Sequence, residues 1–174
     1  SDAASLRVVY NGVHDVAPEM HANPAASPVR IVSVARFEAP KDHETLLRAM
    51  TFLRETPWEM ELVGDGPGES RARSLAQGLG LGHRVRFLGY QRDPAPVLAR
   101  AQIFVLSTRS ESFPRSVLEA MRAGLPVVAS LVGGVSEAVT DATHGLLVPP
   151  GDPLLLAGAI SRLLGDAKLR QQLG

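Results

Sequence analysis

The chain has 174 residues, 45% hydrophobic and 21% charged, with no cysteine and a formal net charge of zero from 18 basic and 18 acidic residues. That length and balance suit one domain with its own apolar core; they exclude a disulfide framework or cysteine metal site and argue against a nucleic-acid binder that relies on a basic surface. The five histidines include no His-x-x-x-His pair, no apolar run approaches a membrane span, and no signal peptide opens the sequence.

Residues 7–10 read as a short strand and Asn11-Gly12 as a turn. Residues 17–28, with three prolines and little periodicity, read as a loop. Residues 29–35 form a predicted strand that ends at Arg36. A helix is predicted over 43–54, capped by Asp42, with Leu46, Leu47, Met50 and Leu53 on its apolar face. Lys41, just before that helix, meets the unfavourable end of the helix dipole. With Arg36 it reads either as a plain exposed cation or as one of two cations sharing a phosphate site. Residues 60–63 form a strand running into Gly64-Asp65-Gly66-Pro67. Glycines at a strand's end let a ligand approach the backbone, although the same four residues also make a good turn. A helix over 69–79, a strand over 85–88 ending at Gly89-Tyr90, a helix over 95–100 and a strand over 103–106 follow. Tyr90 reads as a surface aromatic or as a stacking platform.

The next stretch is R-S-E-S-F-P-R-S-V-L-E-A-M-R-A-G-L-P-V-V, from Arg109 to Val128. It reads as a loop, then a helix with Pro114 at its first position, stopped by Gly124 and Pro126, then a strand over 127–129. Glu111 falls in the loop at a strand's C-terminal end and Glu119 about one turn into the helix. Both lie near a helix N-terminus, which carries roughly half a positive charge and free N–H groups and so suits an anion. Two acids beside an anion make sense where they accept hydrogen bonds from hydroxyls attached to it, with cations nearby. A nucleotide sugar has that form, with hydroxyls at both ends and a diphosphate between. The plainer alternatives are a solvated Glu111 and a Glu119 paired with Arg115 or Arg122 at helical spacing. Val132-Gly133-Gly134-Val135-Ser136-Glu137 then opens a helix, its two glycines allowing close approach to a ligand or another element. Residues 145–148 form the last strand. Asp152 and Pro153 start a helix with Leu154, Leu155, Ala157, Ile160, Leu163 and Leu164 as its expected buried side, and a final helical stretch closes the chain.

Near-continuous apolar strands alternating with helices predict an α/β fold, a doubly wound parallel sheet. Ligands of such sheets bind at the C-terminal ends of the strands, where Arg36, Lys41, Gly64, Gly66, Tyr90, Glu111 and Gly133 all fall.

The segment E-S-F-P-x-S-V-L-E-A-M-x-A-G-x-P-V-V-A-S, the following V-G-G-V-x-E and the earlier V-x-R-x-x-x-x-K resemble the C-terminal, donor-binding domain of GT-B glycosyltransferases, specifically glycosyltransferase family 4 (glycosyl transferases group 1). The likeness runs from Asn11 to the end. It implies a Rossmann-like half of a GT-B enzyme: residues 1–28 as interdomain connection and loop, residues 29–174 as the nucleotide-sugar-binding domain, and a separate N-terminal acceptor-binding domain as partner. It further implies a retaining hexosyltransferase with no metal and no cofactor, cytoplasmic, any membrane contact being made through the other half. Arg36, Lys41 and Glu111 would be catalytic, the cations stabilising the departing diphosphate and Glu111 orienting the sugar. Gly64, Gly66, Tyr90, Ser112, Phe113, Pro114, Ser116, Val117 and Glu119 would bind the donor, Glu119 through the ribose. The absence of an Asp-x-Asp pair agrees with metal independence. The chain departs from the family pattern at His14, where Asp is usual, and at Ala35, Asp42 and Pro114, where Gly is. Two other classes stay open: a nucleotide-sugar-binding regulatory module, and half of a GT-B epimerase or phosphorylase. A dehydrogenase lacks its G-x-G-x-x-G and a P-loop enzyme its Gly-Lys-Ser/Thr.

Overall fold

The computed structural model describes residues 12–174; the strand expected over 7–10 and Asn11 of the turn lie outside the described residues. Six strands, β1 (Arg30–Val34), β2 (Glu59–Val63), β3 (Val85–Gly89), β4 (Ile103–Leu106), β5 (Val127–Ser130) and β6 (Gly145–Val148), form one sheet in the order β3-β2-β1-β4-β5-β6. Every pairing in it is parallel. Among the described residues seven α-helices cover the faces: α1 (His43–Thr51), α2 (Glu69–Gly78), α3 (Ala95–Ala99), α4 (Arg115–Arg122), α5 (Val135–Ala138), α6 (Pro153–Gly165) and α7 (Ala167–Leu173).

The strands alternate their side chains between two apolar layers, which is why they read as unbroken hydrophobic runs. Ile31, Ile103 and Val105 pack with α1, α2 and α6 through Leu47, Ala76 and Ile160. Val32, Phe104 and Leu106 pack with α3, α4 and α5 through Leu98, Val117 and Val135.

Three local expectations change. Leu154 and Leu155 are 62% and 48% exposed; they lie in the first turn of α6, where Asp152 accepts from both their N–H groups, and burial begins only at Leu156. Pro114 is the cap of α4 rather than its first residue: its extended backbone (φ −79°, ψ 108°) precedes Arg115, and its carbonyl accepts from Val117 and Leu118. Helix α1 ends at Thr51 because Phe52 and Leu53 tighten onto Ala49 and Met50; Leu53 is nonetheless buried. A 3₁₀ turn, Pro18–Met20, interrupts the first loop.

Strand order reverses between β1 and β4. At such a switch point the loops leaving the two strands part and open a crevice. The loop after β1 carries Arg36 and Lys41; the loop after β4 carries Arg109 and Glu111.

Candidate functional site

The loop after β1 is held on both sides by backbone hydrogen bonds. Towards β2, Ala35 N–H donates to Val63 O (2.9 Å), Phe37 N–H to Asp65 O (2.7 Å) and Gly68 N–H to Phe37 O (2.8 Å). Gly64 and Gly66 have φ of 140° and 143°, and a Cβ on either would run into the backbone of Ala35 or Phe37; close chain packing accounts for both glycines. Towards β4, Asp42 N–H donates to Ser107 O (3.0 Å) and Arg109 N–H to Pro40 O (3.0 Å), with Lys41 and Thr108 bridged antiparallel between them. Thr108 is fully buried and its N–H donates to Ser130 Oγ at 3.0 Å.

This clasp brings Lys41 Nζ against Glu111 Oε1 as an ion pair, the side chains 21% and 10% exposed. The Glu111 loop is fixed from its other side by the glycine pair before α5. Gly134 N–H donates to Glu111 O at 3.1 Å, and a Cβ on Gly133 or Gly134 would strike the carbonyls of Glu111 or Ser112.

At the same ends of the strands lies an open hollow of about 780 Å³ whose walls include Arg36, Gly64, Tyr90, Ser116 and Glu119 but neither Lys41 nor Glu111. Arg36 is 63% exposed, 3.1 Å from Glu38 and 3.9 Å from Asp65. Tyr90 is 68% exposed at the rim. Burial pushes the Glu119 carboxyl above its ordinary pKa, Arg115 and Arg122 oppose the rise, and Asp93 adds to it. Arg115 reaches Glu119 only loosely, at 3.8 Å.

Five of the sequence-predicted residues therefore share one hollow, while Lys41 and Glu111 meet each other outside its lining. Lys41 lines a smaller hollow with Phe37, His43 and Arg109. Gly66, Ser112, Phe113, Pro114 and Val117 are not in the lining of the large hollow; Val117 has its side chain fully in the core. Sequence reasoning did not place Asp65, Gln91, Arg92 or Arg115 in that lining, where all four stand. Gln91 and Arg92 directly follow Gly89-Tyr90, a signal that was there to read. Arg109 was missed too; it pairs with the buried Asp42 at 2.8 Å. Among the described residues no helix is long and apolar enough to cross a membrane.

The six-stranded parallel sheet with flanking helices, its cations and carboxylates gathered at the switch point, defines a Rossmann-like α/β domain. The chain belongs to the family described as glycosyl transferases group 1, matching it over residues 19–174. It is 36% identical over 150 residues to the lipopolysaccharide core biosynthesis glycosyltransferase LpsE of Rhizobium meliloti, covering 86% of this chain and 43% of the relative. It is 42% identical over 135 residues to an exopolysaccharide phosphotransferase of Streptomyces coelicolor, covering 76% of this chain and 14% of that protein. Among solved structures it superposes on HepE of Anabaena, in complex with UDP and glucose, with a TM-score of 0.80 and 27% identity over 86% of this chain and 42% of the other. The chain thus spans less than half the length of each of these proteins.

Proposed function

We propose that this chain is the donor-binding half of a retaining glycosyltransferase that moves a hexose from a nucleoside-diphosphate sugar to an acceptor held by a second domain. The observation that carries the reading is the meeting of Lys41 and Glu111 at the switch point, at the same ends of the strands as a hollow walled by Arg36 and Glu119. Departure of a nucleoside diphosphate builds negative charge, which fixed cations stabilise. Lys41, Arg36 and the first amides of α4 supply that stabilisation, so no metal or cofactor enters the proposal. Glu111 accepts from sugar hydroxyls and Glu119 from the ribose. The family membership and the UDP and glucose found with HepE support the same assignment. By itself the chain binds donor weakly and transfers nothing.

Calorimetry with UDP and UDP-glucose, in EDTA, tests this. A charge-assisted hydrogen bond is worth about 1.5–3 kcal/mol, or roughly ten- to a hundredfold in affinity. Lys41→Ala and Glu119→Ala lose about that much for both ligands. Glu111→Ala loses affinity for UDP-glucose but spares or improves UDP, because it removes an acid beside the diphosphate. Equal losses for both ligands in Glu111→Ala would take that residue out of the sugar subsite. Binding abolished by EDTA would overturn the role given to the side-chain cations.

A further inference from the structure

We propose that Arg109 and Asp42 sort the charges between the loops after β1 and β4, leaving Lys41 to Glu111 and to the ligand; the inference rests on the donor-site reading above. Four charged side chains stand on two short antiparallel segments, Lys41 and Asp42 on one, Arg109 and Glu111 on the other. The acid nearest to Lys41 along the chain is Asp42. The pairs nevertheless form across the segments: Arg109 Nη2 to Asp42 Oδ2 at 2.8 Å, and Lys41 to Glu111.

Asp42 is the more deeply buried of the two acids, its side chain 6% exposed against 10% for Glu111. Its Oδ1 accepts from Thr45 N–H at 3.0 Å and its Oδ2 from Thr45 Oγ1 at 2.9 Å. The Arg109 guanidinium supplies the charge that this carboxylate needs once it is out of water. Without Arg109, Asp42 keeps its two hydrogen bonds to Thr45 and loses its cation, and the lysine ammonium next to it becomes the replacement. Lys41 then turns from Glu111 and from the crevice. Arg109 is itself anchored, its N–H donating to Pro40 O at 3.0 Å and its guanidinium lying against Gly151. Arg109 and Lys41 share the smaller hollow and neither lines the large one; with its guanidinium committed to Asp42, Arg109 acts on a donor through Lys41, as a positioning residue. Asp42 stands where the family resemblance expects glycine.

The test is calorimetry of the chain with UDP-, GDP-, ADP- and dTDP-glucose, with melting temperatures recorded for every variant. Arg109→Leu should weaken the tightest of the four by roughly two- to fivefold, about the worth of one ion-pair contact, and Arg109→Lys should keep most of the affinity. In a Lys41→Ala background Arg109→Leu should change nothing further. Adding Asp42→Asn to Arg109→Leu should restore affinity, because it removes the competing charge, whereas a loss due to misfolding would persist. The inference is overturned if Arg109→Leu is silent while Lys41→Ala weakens binding, if the two losses add, or if Asp42→Asn gives no recovery. If none of the four sugars binds the unaltered chain, the donor reading falls and takes the inference with it, a result distinct from silent Arg109 variants on a chain that binds.

Discussion

Glu119 is an acid held where the fold disfavours its charge. Burial raises its pKa first of all, and the guanidinium groups of Arg115 and Arg122 do not cancel the rise. A raised carboxyl pKa stabilises the fold fully below the ordinary value of 4.5, and that contribution is lost as the pH rises through the folded value. The ionised form of Glu119 is therefore a liability to stability, one that hydroxyls donating to it would relieve. Glu119→Gln is expected to melt higher than the unaltered chain at neutral pH, the difference closing in mild acid, while nucleotide affinity drops by about tenfold. Scanning calorimetry at both pH values, paired with a UDP titration, checks this. A lower melting temperature for the glutamine variant at neutral pH would make Glu119 a structural partner of Arg115 instead.

At the scale of elements, the position of Glu111 is decided by the approach to α5. Gly133 has a φ of 46°, and there is no room for a Cβ between it and the Glu111 carbonyl. Gly133→Ala should destabilise the chain by about 1–3 kcal/mol and weaken UDP-glucose more than UDP. Urea denaturation and calorimetry measure the two effects, and equal affinities before and after the change would show that the loop holds Glu111 without the glycine. Much of this scale was legible in the sequence. Apolar runs located all six strands to within a residue or two, and the Asp42 and Asp152 caps announced the starts of α1 and α6. The glycine pair was read as a close approach to a ligand or to another element, and the element is the Glu111 loop. What one dimension hides is pairing. Lys41 and Glu111 are 70 residues apart, and they meet only because β4 lies beside β1 in the sheet. The Arg109–Asp42 pair depends on the same crossover. Leu154 and Leu155 were misassigned because helical periodicity names a face without telling where along the helix the covering layer begins.

For the whole molecule, stability should follow the protonation of His43. Its ring stacks on Phe37 with centroids 4.1 Å apart and planes 19° apart. Burial lowers its pKa from 6.5 to about 4, Asp42 opposing and Lys41 adding to the fall. The unfolded chain takes up this proton below pH 6.5 and the folded chain only near pH 4. The contribution is thus whole above the upper value and drains away as the pH falls to the lower one, on the order of 3 kcal/mol in all. Urea titrations across that window should show a steeper decline for the unaltered chain than for His43→Phe; parallel declines would assign the acid sensitivity elsewhere. On the donor-site reading, the Lys41–Glu111 pair bears on the release of nucleotide. Any diphosphate that draws off the lysine strands a glutamate 10% exposed, and only a ligand still carrying its sugar offers that glutamate hydroxyls in exchange. On the donor-site reading, transfer of the hexose leaves the spent nucleotide competing with Glu111 for the same ammonium, so the carboxylate acts as an ejector. Stopped-flow dissociation of UDP should be slower in Glu111→Gln than in the unaltered chain; an unchanged rate would show that the spent nucleotide leaves without help from Glu111.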